Sequence, residues 1–139
     1  MRVVFADAAY WIALWNPRDA MHERALAVAA RLGSAAVVTT QVVLFEALNF
    51  MAGMGEFRRL FAARMVRDLE DNPDLEIVPQ TDAQFRSAVE RYADRPDQRW
   101  GLTDCASFLL MEQRNITEAL THDRDFEQAG FTALLRRGQ

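Results

Sequence analysis

Residues 3–14 read VVFADAAYWIAL, and this stretch decides the fold. Residues 2–6 (RVVFA) form a short apolar run that is typical of a buried parallel strand, and Asp7 follows it directly. The next residues, 8–15, are predicted to form a helix that ends before Pro17. A buried strand that passes at once into a helix, with an acid at the junction, indicates an α/β protein whose ligand site lies at the strand ends.

The alternation of short apolar strands and amphipathic helices continues along the chain. Further strands are predicted at residues 35–39, 75–78, 119–120 and 131–135. Further helical segments are predicted at residues 17–32, 41–51, 55–71, 81–93, 104–114 and 123–129. This order favours a central parallel sheet of four or five short strands with helices on both faces. We expect residues 1–139 to form a single domain, since no internal repeat or linker is visible.

The composition excludes several classes of chemistry. All 16 basic residues are arginine, so P-loop nucleotide binding and Schiff-base catalysis, which need lysine, are excluded. Two histidines cannot build a histidine-rich zinc site. The single cysteine, Cys105, excludes an internal disulfide and suits a reducing cytoplasm. No apolar run approaches the ~20 residues of a membrane span, so we expect a cytoplasmic protein without a membrane contact.

Three aspartates are placed where the predicted strands end. Asp7 follows the first strand, Asp123 follows the strand at residues 119–120, and Asp104 lies in the first turn of a helix. Carboxyl ends of parallel strands meet at one edge of the sheet, where open α/β proteins bind their ligands. For each aspartate taken alone, the alternative is a helix cap that accepts backbone N–H bonds.

Glu46 is the fourth candidate. The helix around it, residues 42–51, reads VVLFEALNFM and is apolar on nearly every face, so we expect Glu46 to be buried. A buried carboxylate is costly unless it is paired, protonated or metal-bound. A salt bridge to an arginine distant in the sequence is one interpretation, since no arginine lies three or four positions away. A metal ligand or general base is the favoured one.

Four converging carboxylates would repel one another, and a divalent cation removes that repulsion. A site of oxygen atoms alone suits Mg²⁺ or Mn²⁺ rather than zinc. Such a site is typical of enzymes that assist the attack of water on a phosphodiester.

The residues of this site resemble those of the PIN-domain ribonucleases, and among them the VapC-type toxins of bacterial type II toxin–antitoxin pairs. The resemblance covers essentially the whole chain, through VVFADAAYWIAL, TTQVVLFEALN, LTDCASF and ALTHDRDFEQAGF in order. It implies the PIN-like fold and an acidic quartet, Asp7, Glu46, Asp104 and Asp123, that holds one or two Mg²⁺ or Mn²⁺ ions. It also implies an endoribonuclease that cleaves single-stranded or loop RNA, leaving a 3′-hydroxyl and a 5′-phosphate.

The resemblance also suggests supporting residues and partners. Thr39, Thr40 and Ser107 fall where the family often has a small hydroxyl near the acids, and Asp125 could replace Asp123 or join it through water. A cognate antitoxin, a homodimer and a toxin–antitoxin heterocomplex are the implied assemblies. Two alternatives stay open: a PIN-fold binding or scaffold module, and a stand-alone RNA-processing nuclease without an antitoxin.

Two further stretches have expected roles. The helices around Trp11–Trp15 and Arg58–Arg67 carry apolar and basic side chains, and we expect an antitoxin tail to dock there. A solvated helix face and an RNA-phosphate track are the alternatives for the arginines. The loop Asp94–Arg99 is mixed in charge and close to Asp104 in the sequence, so we expect a flexible segment at the site entrance.

Overall fold

The computed structural model describes residues 1–136, and the predicted order of strands and helices is confirmed there. The strands are β1 (Val3–Ala6), β2 (Ala36–Thr40), β3 (Leu75–Val78), β4 (Glu118–Leu120) and β5 (Thr132–Ala133). The helices are α1 (Ala8–Trp15), α2 (His22–Arg31), α3 (Gln41–Ala52), α4 (Glu56–Glu70), α5 (Asp82–Asp94), α6 (Leu102–Gln113) and α7 (Arg124–Gln128). The predicted domain, 1–139, extends to three residues that lie outside the described part.

Three elements differ from the prediction by two residues or more, and one of them is α6, which was expected from residue 104 and begins at Leu102. The helix expected from residue 17 begins at His22, because Asn16 and Asp19 accept hydrogen bonds from backbone N–H groups two residues ahead, at 3.1 and 2.8 Å. Such local turns compete with helix formation. The strand expected at 131–135 is only two residues long, because its partner β4 is itself short, with three residues. Leu134 and Leu135 still donate to the Ala119 and Thr121 carbonyls.

All strand pairs are parallel, and the sheet order is β3-β2-β1-β4-β5. The chain builds outward from β1 through β2 to β3, and then returns to place β4 on the other side of β1. The order therefore reverses between β1 and β4. In open α/β sheets, the crevice outside the carboxyl ends of the strands at such a reversal is the usual place for a ligand.

Helices cover both faces of the sheet. Helices α1 to α4 pack on one another, and α5 packs on α6. Because crossovers between parallel strands are right-handed, connections that run in opposite directions along the sheet lie on opposite faces. No helix within residues 1–136 is long and apolar enough to cross a membrane.

The core is centred on β1, where Val4, Phe5 and Ala6 are fully buried. Trp11 and Trp15 on α1 are also buried, and their rings stack with centroids 5.7 Å apart. The predicted antitoxin surface is therefore wrong in one part, because these two indole rings are packed inside the protein. The apolar spacing of α1 identified a buried face but could not distinguish a core from an interface.

A buried polar link ties α1 to the sheet. The hydroxyl of Thr39, at the end of β2, donates to the Ala6 carbonyl at 2.8 Å and accepts from the Trp11 indole N–H at 3.2 Å. Thr39 is fully buried. This link fixes the backbone immediately before Asp7, where the first strand ends.

Replacing Thr39 by Val should destabilise the fold, because the isosteric side chain leaves the Trp11 N–H and the Ala6 carbonyl without this buried partner. We expect a loss of ~2 kcal/mol in the free energy of unfolding, measured by urea denaturation. Thr39→Ser keeps the hydroxyl and is the matched control. Equal losses for the two variants would contradict a role for the hydroxyl.

Candidate active site

Asp7 lies at the carboxyl end of β1, in the crevice between β1 and β4. Its backbone N–H donates to the Leu120 carbonyl at 3.2 Å, so the residue still belongs to the pairing of the two strands. The side chain is buried, with 6% of the residue exposed. The strand thus carries a carboxylate to the place where the topology predicts a ligand.

Thr121 connects Asp7 to Asp123, and the sequence alone did not identify it as functional. Its hydroxyl donates to Asp7 Oδ2 at 2.9 Å and accepts from the Asp123 backbone N–H at 3.1 Å. The residue is fully buried. A polar residue directly after the buried end of β4 and two positions before an acid was the signal that could have revealed it.

Asp104, Asp123 and Asp125 form a carboxylate cluster beside Asp7. One side-chain oxygen from each lies within 4.8 Å of the others, and all three residues are half-buried. Asp104 comes from the first turn of α6, whereas Asp123 and Asp125 flank the start of α7. The two helices thus direct their N-terminal acids toward one point, and the positive ends of their dipoles lower the cost of this arrangement.

Two of these aspartates are also helix caps, as the alternative interpretation expected. Asp104 Oδ2 accepts from the Gly101 N–H at 3.1 Å, and Asp123 Oδ1 accepts from the Asp125 N–H at 2.9 Å. Each cap uses one carboxylate oxygen. The remaining oxygen of each group is free of that bond, so capping and ligand binding are compatible.

The acids act on one another electrostatically. Burial raises the pKa of Asp7 to about 7, and the charges of Asp104 and Asp123 add to this rise against hydrogen bonds from Ala8 and Thr121. Burial likewise raises the pKa of Asp104 to about 6, with Asp123, Asp125 and Glu46 adding to it. The side chains therefore form one coupled group in which full ionisation is unfavourable without a cation.

The structure shows that Glu46 is exposed, so the expectation of a buried side chain is wrong. Its helix, α3, leaves an apolar face uncovered, where Phe45 is 68% and Phe50 is 51% exposed. The hydrophobic pattern therefore marked a face that the rest of this chain does not cover. Glu46 lies at the margin of the acid cluster, near enough for its charge to raise the pKa of Asp104.

The three hydroxyl residues expected near the acids have other contacts. Thr40 Oγ1 accepts from the Val43 N–H at 3.1 Å and so caps α3. The Thr39 hydroxyl is hydrogen-bonded to the Ala6 carbonyl and the Trp11 indole N–H. Ser107 is fully buried, and within the described residues its hydroxyl has no hydrogen-bond partner. None of the three bonds to an acid in residues 1–136, so their supporting role stays a prediction.

A cleft of about 580 Å³ opens beside the carboxylate cluster. It is lined by residues 97–99, from the loop between α5 and α6, and by residues 122–125 and Gln128 around α7. The expected position of the loop at the site entrance thus agrees with the structure. A cleft of this size next to the acids leaves room for a segment of an extended substrate.

The chain resembles known proteins in sequence and in structure. Residues 4–132 match the PIN domain family. The chain is 29% identical over 133 residues to the 23S rRNA-specific endonuclease VapC20 of Mycobacterium tuberculosis (strain CDC 1551 / Oshkosh), which covers 93% of this chain and 95% of that protein. The crystal structure of Mycobacterium tuberculosis VapC20, a Sarcin-Ricin loop cleaving toxin, has a TM-score of 0.83 at 26% identity, covering 93% of this chain and 96% of that one.

Two more distant structures share the fold. VapBC2 from Rickettsia felis, bound to a DNA fragment from its promoter, has a TM-score of 0.63 at 12% identity and covers 94% of this chain and 96% of its own. FitAB bound to an IR36 DNA fragment has a TM-score of 0.69 at 16% identity, with 98% of both chains covered. At these identities the likeness shows the fold alone.

The chelator-treated protein should be less stable at about pH 8 than at about pH 5. The folded-state pKa of Asp7 is raised from 3.8 to about 7, so its contribution to stability is complete below the unfolded value and is lost as the pH rises through about 7. Asp104 acts in the same direction up to about 6. At ~1.4 kcal/mol per pKa unit, the whole shift of Asp7 corresponds to on the order of 4 kcal/mol, of which roughly 2 to 3 kcal/mol is lost between about pH 5 and about pH 8.

Urea unfolding in chelator across this range measures the effect. Asp7→Asn is the control, since its amide does not titrate, and we expect its stability to vary much less with pH. A parent protein whose stability stays constant or rises between about pH 5 and about pH 8 would contradict the buried, protonated Asp7.

Proposed function

The chain belongs to the PIN-domain family, and on this premise we propose that it is a metal-dependent endoribonuclease that acts as the toxin of a toxin–antitoxin pair. The observation that carries the proposal is the cluster of Asp104, Asp123 and Asp125, whose carboxylate oxygens lie within 4.8 Å of one another beside the buried Asp7. A structural role alone does not explain so many acids in one crevice, because their mutual repulsion costs stability.

The donor set fits Mg²⁺ or Mn²⁺. The cluster offers only carboxylate oxygens, which hard divalent cations prefer, and it contains neither histidine nor thiolate. In the proposed site, Asp104, Asp123 and Asp125 hold the cation together with Asp7, and Glu46 adds negative charge from the margin. When bound, such a cation supplies a Lewis acid that activates water and offsets the charge of a phosphodiester.

The chain's own residues prepare the site for this chemistry. The Thr121 hydroxyl fixes one oxygen of Asp7, and the Gly101 N–H fixes one oxygen of Asp104. Each carboxylate is therefore oriented before any ligand arrives, which reduces the entropy lost on binding. Asp7 releases its proton when the crevice gains positive charge, because that charge offsets the burial that raises its pKa.

The proposed substrate is an exposed loop of a structured RNA. The relative VapC20 is named as a 23S rRNA-specific endonuclease and as a Sarcin-Ricin loop cleaving toxin. At 29% identity, ribosomal RNA is the first substrate to test. The retained acid cluster argues against a PIN-fold scaffold without activity, while a stand-alone RNA-processing nuclease differs from the proposal only in lacking an antitoxin.

We propose that the antitoxin binds the outer face of α3 and α4. Phe45, Phe50, Phe57 and Leu60 are 68%, 51%, 71% and 62% exposed there, a large apolar area for a folded protein. The same region carries the basic segment Arg58–Arg67, which suits an amphipathic acidic tail. The buried indole rings of α1 are not part of this surface.

A homodimer and a cytoplasmic location complete the proposal. A second exposed apolar face lies along α5 and the start of α6, with Phe85 at 50%, Tyr92 at 56% and Leu102 at 38% exposure, and it suits contact with a second copy of the chain. The free, buried Cys105 is compatible with a reducing compartment.

The purified protein should cleave a hairpin RNA with an exposed loop in Mn²⁺ or Mg²⁺ and should stop in chelator. Asp7→Asn and Asp104→Asn should lower the cleavage rate at least ~100-fold, because each removes a carboxylate from the site. Glu46→Gln should also lower the rate, since its charge acts on Asp104. Gel analysis of labelled RNA measures cleavage, and Glu90→Gln, an exposed acid on α5, is the control.

Thermal melts separate loss of the site from loss of the fold. At ~100 times its dissociation constant, Mn²⁺ should stabilise the parent by ~2.7 kcal/mol, and Asp104→Asn should lose most of this gain. In chelator the variant should be at least as stable as the parent. Cleavage that persists in chelator would overturn the metal-dependent function, and a strongly destabilised variant would make Asp104 a structural cap only.

Charge reversal on α4 should separate antitoxin binding from catalysis. Arg59→Glu and Arg64→Glu should weaken the complex with the proposed cognate antitoxin by about tenfold, because each repels an acidic tail. RNA cleavage should change much less. Calorimetry measures the complex, and Arg86→Glu on α5 is the matched control. An equal loss of binding and cleavage would place this face on the RNA path instead.

A further inference from the structure

Arg99 lies in the cleft beside the carboxylate cluster and, within the described residues, has no partner of opposite charge in contact with it. Within residues 1–136 its guanidinium forms neither a hydrogen bond nor an ion pair, although it lies near enough to Asp125 to act on the charge of that group. Many other arginines do form ion pairs, among them Arg2, Arg86, Arg91, Arg95, Arg114 and Arg136. Arg99 lines the cleft that also contains Asp123 and Asp125.

The loop that carries Arg99 contacts the body of the protein through its last residues. Arg95 makes a double hydrogen bond to Asp97, at 2.9 and 2.8 Å, and lies over the Trp100 ring, 5.0 Å from its centroid. Trp100 is buried and packs edge-on against Phe108 at 5.0 Å. Arg99 therefore directly precedes a buried, packed side chain, which restrains its backbone position.

The loop is also connected to the acids themselves. The residue after Trp100 is Gly101, whose N–H donates to Asp104 Oδ2 at 3.1 Å. An arginine two residues before this contact is thus held beside the carboxylate cluster by backbone geometry. The lining of the cleft therefore carries carboxylates on one side and a guanidinium on another. In an RNA strand, the phosphate to be cleaved would lie at the cation held by the carboxylates, and a neighbouring phosphate would meet the guanidinium.

We propose that Arg99 binds a phosphate of the RNA next to the one that is cleaved, and so positions the strand in the cleft. This inference rests on the proposed function and names a residue that holds the substrate. A guanidinium binds phosphate oxygens in pairs and keeps its charge at every physiological pH. Contacts to the phosphate backbone carry no sequence information, so Arg99 contributes affinity to all RNA sequences alike.

Arg124 lines the same cleft, but it lies between Asp123 and Asp125 at the start of α7. Its replacement would disturb the carboxylates as well as any phosphate contact. Arg99 is separated from the acids in the sequence, so its replacement leaves their backbone in place, and Arg99→Lys keeps the charge that acts on Asp125. The experiment is therefore designed on Arg99.

RNA binding is measured by fluorescence anisotropy in an Asp104→Asn background, so that no cleavage occurs. The probe is a short fluorescein-labelled RNA hairpin, titrated at several salt concentrations. Arg99→Ala should weaken binding on the order of tenfold, and the slope of log affinity against log salt should fall by ~0.7, the value for one phosphate contact with a single strand. Arg99→Lys should retain the slope, because it keeps the charge.

Arg86→Ala is the matched control, since Arg86 is exposed on α5 and pairs with Asp82 outside the cleft. It should leave the affinity and the salt slope at the values of the background. In the cleaving parent, Arg99→Ala should raise KM more than it lowers kcat, by the same factor for two hairpins of different loop sequence.

Three results would overturn the inference. In the first, the affinity and salt slope of Arg99→Ala equal those of the background. In the second, Arg86→Ala loses as much RNA affinity as Arg99→Ala. In the third, Arg99→Lys loses as much of the salt slope as Arg99→Ala, which would indicate an effect on the loop. Because binding is measured without cleavage, these results are separate from failure of the nuclease proposal, which appears as a parent that does not cut RNA.

Discussion

The hydrogen bonds of the Thr121 hydroxyl hold the site together, since one group bonds to the Asp7 side chain and to the Asp123 backbone across the β1–β4 junction. Asp7 and Asp123 are far apart in the sequence and approach only because β4 pairs with β1. The position of β4 in the sheet therefore determines whether the site forms. A chain that placed β4 elsewhere would keep every acid and lose the crevice that collects them.

Placing these carboxylates together in the crevice lowers the stability of the folded protein. Burial raises the pKa of Asp7 to about 7, so near neutral pH the folded protein gives up favourable hydration of a carboxylate in order to keep it in the crevice. Capping by Asp104 and Asp123 recovers part of that cost, because each bonds a backbone N–H that would otherwise lack a partner within its helix. Sites that are prepared for a ligand commonly show this balance between function and stability.

Much of the fold and the aspartates could be predicted from the sequence, because a buried strand followed by Asp7 and a strand followed by Asp123 are local patterns. Thr121 could not, since its bond to Asp7 spans 114 positions. The prediction that Glu46 is buried was wrong, because periodicity identifies an apolar helix face without showing whether the same chain covers that face. The contact of the Arg99 loop with the core could not be predicted either, because the packing of Trp100 on Phe108 is a tertiary contact that the composition does not show.

In the proposed function, the exposed apolar face of α3 connects antitoxin binding to the carboxylate cluster. Phe45, 68% exposed, immediately precedes Glu46, whose charge acts on Asp104. In the proposed function, a partner that covers this phenylalanine lies next to the margin of the carboxylate cluster, since Phe45 and Glu46 are consecutive on α3 with side chains about 100° apart. Burial of apolar area supplies the affinity, while proximity to Glu46 supplies the inhibition. One uncovered helix face can thus make binding of an antitoxin and silencing of the nuclease a single event.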